Sequence, residues 1–261
     1  MWIPFEEWID SGPKRKPPNP PGVLEFVRSR LGFFPDARQA EILESTAAQG
    51  ILNCSRQWGK STVSAAKALH RAYHVPGCLV LVASPGERQS AEWMRKARVM
   101  TGGLGSRLRG DGDNKISLVL PNGSRIVGLP GMDATVRGFS AVSMLVIDEA
   151  ARVEESLYKA LRPVLAVSNG DVWLMSTPYG RRGFFYEVWE HGGPEWFRVH
   201  GQATECPRIS KAFLEKERGA MGALSFRQEY MGEFVDSGSS LFERSLIEAA
   251  LDDLVEPLVF E

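Results

Sequence analysis

The chain has 261 residues, 43% of them apolar and 24% charged, with a formal net charge of −1. That length accommodates one large α/β domain or two small ones and buries a sizeable core, which excludes a disordered or fibrous chain. A charge balance so near zero excludes a globally cationic field, so any hold on nucleic acid rests on local basic patches.

Residues 1–32 open with MWIPFEEWIDSG, which carries acids where a secretory signal needs basic residues. No run of about 18 apolar residues occurs anywhere, so a soluble intracellular protein is expected, with no membrane segment. The proline-rich, basic stretch from Gly12 to Gly22 should be an extended spacer between a short N-terminal helix and the main body. VLEFVRSRL then shows helical apolar spacing. Pro35-Asp36-Ala37-Arg38-Gln39 reads as a helix start, with Asp36 as N-cap and Gln39 completing a capping box.

The apolar run Ile51 to Cys54 predicts a strand, and the alanine-rich segment Ser61 to Tyr73 a helix. Between them lies Ser55-Arg56-Gln57-Trp58-Gly59-Lys60-Ser61-Thr62. CLVLVA, Cys78 to Ala83, is an uninterrupted apolar run expected to be a strand covered on both faces. Ile116 to Leu120 and Arg125 to Leu129 flank an Asn122-Gly123 hairpin turn. Met144 to Ile147 is another buried strand, ending at Asp148-Glu149. A helix over Glu154 to Leu165, a strand over Val172 to Met175 and a strand over Trp196 to His200 follow. Two helices, near Ser210 to Arg218 and Ala223 to Phe234, close the main body. This alternation predicts a mostly parallel central sheet flanked by helices on both faces. The three cysteines are far apart and form no CxxC pair, so neither a disulfide framework nor a structural zinc site is supported.

Gly59-Lys60-Ser61 directly follows a strand and opens a helix. Backbone N–H groups and the helix N-terminus then face an anion, the lysine reaches terminal phosphates, and the Ser61 hydroxyl serves Mg²⁺. A phosphate loop normally has a glycine five residues before Gly59, where Cys54 stands, and Trp58 is bulky for such a loop. Asp148 and Glu149 fall at the carboxyl edge of the sheet, where ligands collect. Asp148 suits a metal and Glu149 suits orienting or deprotonating water; the plainer reading is a helix N-cap pair. Ser176-Thr177-Pro178 ends a third strand at that edge, either as a γ-phosphate sensor or as a common exit from a sheet. Arg137 is a candidate arginine finger or a solvated charge. Arg107, Arg109, Arg181 and Arg182 are candidates for DNA phosphates or ordinary surface charge.

Taken in order, Arg56-Gln57-x-Gly59-Lys60-Ser61, Arg137-Gly138, Val146-Ile147-Asp148-Glu149-Ala150-Ala151, Ser176-Thr177-Pro178-x-Gly180 and FRQEYxGEF (Phe226 to Phe234) resemble the ATPase domain of the large terminase subunit. That subunit is the DNA-packaging motor of tailed bacteriophages, and the resemblance covers roughly residues 33–235. It implies a P-loop NTPase fold of the ASCE/RecA-like kind that hydrolyses ATP with Mg²⁺ to move double-stranded DNA into a procapsid. It implies that Gln39 reads the adenine, that Arg56 contacts the γ-phosphate or repositions during the cycle, and that Lys60 and Ser61 serve phosphate and magnesium. Asp148 would bind the metal, Glu149 would be the catalytic carboxylate, Ser176 to Pro178 would couple hydrolysis to motion, and Arg137 would act on a neighbouring subunit. Loops of this family often lack the first glycine, which accommodates Cys54. The implied setting is a homo-oligomeric ring, expected to be a pentamer, working with a portal protein and a small terminase subunit in the host cytoplasm. The family also carries a C-terminal nuclease; residues 236–261 show no βα pattern to hold its acids and read as a linker or helix, so nuclease activity is not expected. A superfamily 2 helicase-like or restriction-type motor, and a catalytically silent nucleotide-binding assembly module, are the alternatives.

Overall fold

The structure is a computed structural model that describes residues 22–104, 116–130 and 138–235. The expected N-terminal helix, the proline-rich spacer and the C-terminal 236–261 segment lie outside the described residues, apart from Gly22.

Seven strands form one sheet: β1 (Gln49–Cys54), β2 (Leu79–Ser84), β3 (Ser117–Val119), β4 (Arg125–Pro130), β5 (Met144–Asp148), β6 (Asp171–Ser176) and β7 (Trp196–Gly201). Their spatial order is β3-β4-β2-β5-β6-β1-β7. Every pairing is parallel except β3 with β4, which are joined by the Asn122-Gly123 turn as expected. Gly123 is left-handed at φ 81°, and the Asn122 amide donates to the carbonyls of Ala72 and Tyr73, pinning the hairpin to a neighbouring helix.

Eight α-helices are described: α1 (Val23–Ser29), α2 (Ala37–Glu44), α3 (Lys60–His74), α4 (Glu87–Met100), α5 (Glu155–Leu161), α6 (Gly183–His191), α7 (Lys211–Ala220) and α8 (Ala223–Met231). They cover both faces, as a sheet with buried inner strands requires. Leu52, Val63, Leu69, Trp93 and Trp173 anchor one core, and Ile51, Leu145, Ile147, Leu174 and Phe185 the other. Consecutive residues Ile51 and Leu52 thus serve opposite faces of β1. Phe26, Val27 and Leu31 belong to the first core, so tight packing continues N-terminal to residue 33.

Three local outcomes differ from the expected elements. The helix over Glu154 to Leu165 ends at Leu161 and continues as a 3₁₀ turn, Arg162–Leu165, because Pro163 cannot donate to an α-helical ladder. The last helix stops at Met231, where Gly232 turns left-handed at φ 68°. Helices α4 and α6 were not anticipated. Helix α4 buries Ser90, Trp93, Met94, Ala97 and Met100, a helical stripe interrupted by charges.

Candidate nucleotide site

The loop between β1 and α3 owes its shape to the strand beside it. Cys54 is still part of β1 and pairs in register with Gly201 of β7. Its side chain is fully buried, so it stands inside the core rather than in the loop. Burial pushes its thiol up to about 12, which keeps it neutral and unreactive. The turn is displaced further along, to Gln57 at φ 60° and Gly59 at φ 100°. Trp58 is 2% exposed and packs inward. It fits because Gly201 has no side chain: a Cβ there would lie 2.6 Å from the indole nitrogen. The bulk of Trp58 is therefore a core plug beneath the loop, and Trp58 is not among the residues that line the cavity beside it. Ser55 is likewise buried.

Distant segments fasten the loop. The Ser55 amide donates to the Gly201 carbonyl at 2.8 Å, and the Arg56 amide to the Glu229 carbonyl at 3.0 Å. The Arg56 guanidinium also pairs with the Glu229 carboxylate on α8. The Trp58 carbonyl accepts from Gln39 at 3.3 Å and from Arg208 at 2.7 Å. Gln39 completes the expected capping box as well, taking the Asp36 amide at 3.2 Å while Asp36 takes its own at 2.9 Å.

Lys60 is buried, and its ammonium donates to the carbonyls of Cys54 (2.9 Å) and Ser55 (2.8 Å) and to the Thr177 hydroxyl (3.0 Å). Burial lowers its pKa, with the Glu149 and Asp148 carboxylates pulling the other way. Thr177 also donates to the Cys54 carbonyl at 3.1 Å, so the end of β6 and the end of β1 share one cation. The Ser176 hydroxyl turns away to the Thr177 carbonyl, and Pro178 is buried behind it.

The Ser61 hydroxyl donates to Asp148 at 3.1 Å. Burial, and then the neighbouring Glu149 charge, raise the Asp148 carboxyl to about 6. A hydroxyl and a buried, charge-starved carboxylate side by side suit Mg²⁺, which keeps several waters and shares phosphate oxygens rather than needing a protein cage. No group of three or more His, Cys, Asp or Glu side chains able to hold a metal exists among the described residues. Glu149 itself is left-handed at φ 53°, a strained conformation for a side-chain-bearing residue. An open cavity of about 430 Å³ gathers Arg56, Gln57, Gly59 to Thr62, Glu149 and Thr177.

Comparison with known proteins places this geometry. The family model described as terminase large subunit, T4likevirus-type, N-terminal, matches residues 51–249. The chain belongs to that family. Its sequence is 24% identical over 250 residues to the large terminase subunit of Thermus virus P23-45, covering 81% of this chain and 51% of that protein. The chain thus spans about half the length of the relatives it matches in sequence. Its fold is similar to the large terminase ATPase domain of Thermus phage P74-26, with a TM-score of 0.72, 22% identity, and coverage of 84% of this chain and 99% of that one. It is also similar to the large terminase of thermophilic bacteriophage D6E in complex with ATP-gamma-S, with a TM-score of 0.65, 16% identity, and coverage of 76% and 52%. These matches show the mostly parallel P-loop NTPase fold and do not favour the helicase-like or silent-module alternatives.

In this terminase N-terminal domain, Lys96 of α4 and Arg208 also line the cavity, and neither was anticipated. Both come from segments with no phosphate-loop signature, so only the tertiary fold brings them in. Arg137, Arg107 and Arg109 lie outside the described residues. Arg181 donates to the Phe234 carbonyl at 3.2 Å, and Arg182 stacks over Tyr179 at 5.1 Å, which ties both to local structure.

Proposed function

We propose that residues 33–235 hydrolyse ATP with Mg²⁺ and that turnover drives double-stranded viral DNA into a procapsid. The observation that carries this reading is the meeting of Lys60, Ser61, Asp148 and Thr177 at the carboxyl edge of three adjacent strands, with Glu149 on the rim of the same cavity. The ATP-gamma-S-bound relative supports nucleotide as the ligand.

The amides at the start of α3 bind phosphate oxygens, aided by the helix dipole. Lys60 exchanges its carbonyl partners for the β- and γ-phosphates. Ser61 and Asp148 hold Mg²⁺, which when bound neutralises charge developing on the phosphates. Glu149 orients a water and receives its proton as the new oxygen–phosphorus bond forms and the bond to the β–γ bridging oxygen breaks, releasing ADP. Gln39, buried here with its side-chain amide on the Asp36 N–H and the Trp58 carbonyl, would exchange those bonds to read the adenine. Arg137 completes a neighbour's site in a ring of subunits, expected to be a pentamer. Portal protein and small terminase subunit are the expected partners, and the host cytoplasm the setting.

The test is Mg-ATP turnover per subunit across a wide range of protein concentration for wild type, Lys60→Ala and Arg137→Ala. Lys60→Ala should lose at least about 10²-fold in kcat. Specific activity that climbs with concentration in wild type and stays flat in Arg137→Ala supports the ring. Full activity in Lys60→Ala removes the loop from the mechanism.

A further inference from the structure

Arg152 lies three residues beyond Glu149, at the end of a one-turn 3₁₀ helix (Ala150–Arg152) that the left-handed Glu149 initiates. Its amide donates to the Glu149 carbonyl at 2.8 Å, closing that turn. Its guanidinium makes three further contacts on three different segments. One nitrogen donates to Glu149 Oε2 at 3.2 Å, and another lies 3.8 Å from Glu229 Oε1 on α8. Its plane covers the Tyr179 ring, just after Ser176-Thr177-Pro178, at 4.8 Å.

An ion pair at i,i+3 is by itself weak evidence, because exposed pairs of this kind contribute little. Two such pairs elsewhere, Arg38 with Glu41 and Arg95 with Glu92, have arginine side chains 55% and 65% exposed. Arg152 is 26% exposed and is held by a ring and a second carboxylate that belong to other elements. Its planar fork is therefore oriented before it meets Glu149. It grips one carboxylate oxygen, while the other has no partner among the described residues and Glu149 remains on the cavity rim. Arg152 itself does not line that cavity among its described walls.

We propose that Arg152 is the positioning residue for Glu149: it fixes one carboxylate oxygen so that the other meets the attacking water, and it ties that orientation to α8 through Glu229. This inference rests on the ATPase reading above. A flexible glutamate without this anchor spends most of its time in unproductive rotamers, and misplacement of about 1 Å costs on the order of 10²-fold in rate.

The experiment compares ATP turnover, ATP binding and thermal unfolding in wild type, Arg152→Ala and Arg152→Lys of the whole chain. Arg152→Ala should lower kcat by about 10–100-fold, with the ATP KM and Kd within about twofold of wild type. Arg152→Lys should recover part of the loss, because a cation at the same place still holds one oxygen. Wild-type kcat in Arg152→Ala overturns the inference. So does an equal loss in both variants that comes with weakened ATP binding and a lowered Tm, since that marks a structural role. A wild type without turnover would sink the ATPase reading and this inference together, whereas an active wild type indifferent to Arg152 sinks the inference alone.

Discussion

Replacing Gly201 with alanine should damage the nucleotide loop from behind. Gly201 ends β7 opposite Cys54, and its backbone is not among the left-handed glycines, so an alanine meets no conformational objection there. The objection is space. A Cβ at that position would lie 2.6 Å from Trp58 Nε1, 2.7 Å from Trp58 Cε2 and 2.8 Å from Cys54 Sγ. Comfortable contacts between such atoms are about 3.5–4 Å, so the groups must separate by roughly 0.8 Å or more. Neither neighbour yields easily, since Trp58 is 2% and Cys54 0% exposed. Overpacking a closed core costs about 1–3 kcal/mol. A mid-range 2 kcal/mol lowers Tm by roughly 4–8 °C for a domain of this size. Trp58 directly precedes Gly59, so displacing the indole also moves the amides that would face phosphate. An ATP affinity loss of about tenfold is expected, equivalent to 1.4 kcal/mol. Thermal unfolding and ATP titration of Gly201→Ala measure both effects. Cys54→Ala made in the same chain removes one of the clashing atoms, so the double variant should recover about 1 kcal/mol relative to additivity. A Gly201→Ala protein with wild-type Tm and wild-type ATP affinity would refute the view that Trp58 is wedged under the loop.

His70 is buried against Phe26 and His74, and burial first, then the nearby His74, Lys67 and Arg71 charges, push it down to about 3. Between pH 6.5 and 3 the unfolded chain binds a proton there that the folded one refuses, so stability falls as pH falls, by about 2 kcal/mol at pH 5. His70→Leu should flatten the denaturant-measured stability between pH 6.5 and 5, and an unchanged slope would show that another group sets it. Arg208 bonds the Trp58 carbonyl and pairs with Asp36 at 2.9 Å while lining the cavity. Arg208→Ala should raise the ATP KM about 3–10-fold with kcat nearly unchanged, and a selective loss of kcat would place Arg208 in the chemistry instead.

What was legible in the sequence was local. The Asp36–Gln39 capping box, the Asn122-Gly123 hairpin and the run from β1 through Gly59-Lys60-Ser61 into α3 each depend on residues a few positions apart, and each stands in the fold as expected. The strands ending at Asp148 and Ser176 were readable as unbroken apolar runs, because inner strands of a parallel sheet are covered twice. Helix α4 escaped notice although its buried positions keep helical spacing, since Glu92, Arg95, Lys96 and Arg98 interrupt the apolar run. The partners of the loop escaped for a different reason. Gly201, Arg208 and Glu229 lie roughly 140 to 175 residues from it, and nothing in their own neighbourhoods announces the contact.

That distance explains how a phosphate loop manages without its first glycine. With Cys54 held in β1, the chain reaches the turn late and bends at Gln57, whose left-handed backbone costs on the order of 1–2 kcal/mol relative to glycine. Such a conformation persists only where the surroundings over-determine it. Here they do: Gly201 fixes the amide before the turn, Glu229 fixes the next one, Trp58 is plugged into the core just after it, and Lys60 draws the Cys54 and Ser55 carbonyls together. Glu149, at φ 53°, carries the same kind of strain across the cavity and is held by Arg152. Both strained residues lean, through Arg56 and Arg152, on the single carboxylate of Glu229. A displacement of α8 therefore loosens both sides of the site together, which neither the phosphate loop nor the acidic strand end would allow if each were held by its own glycines.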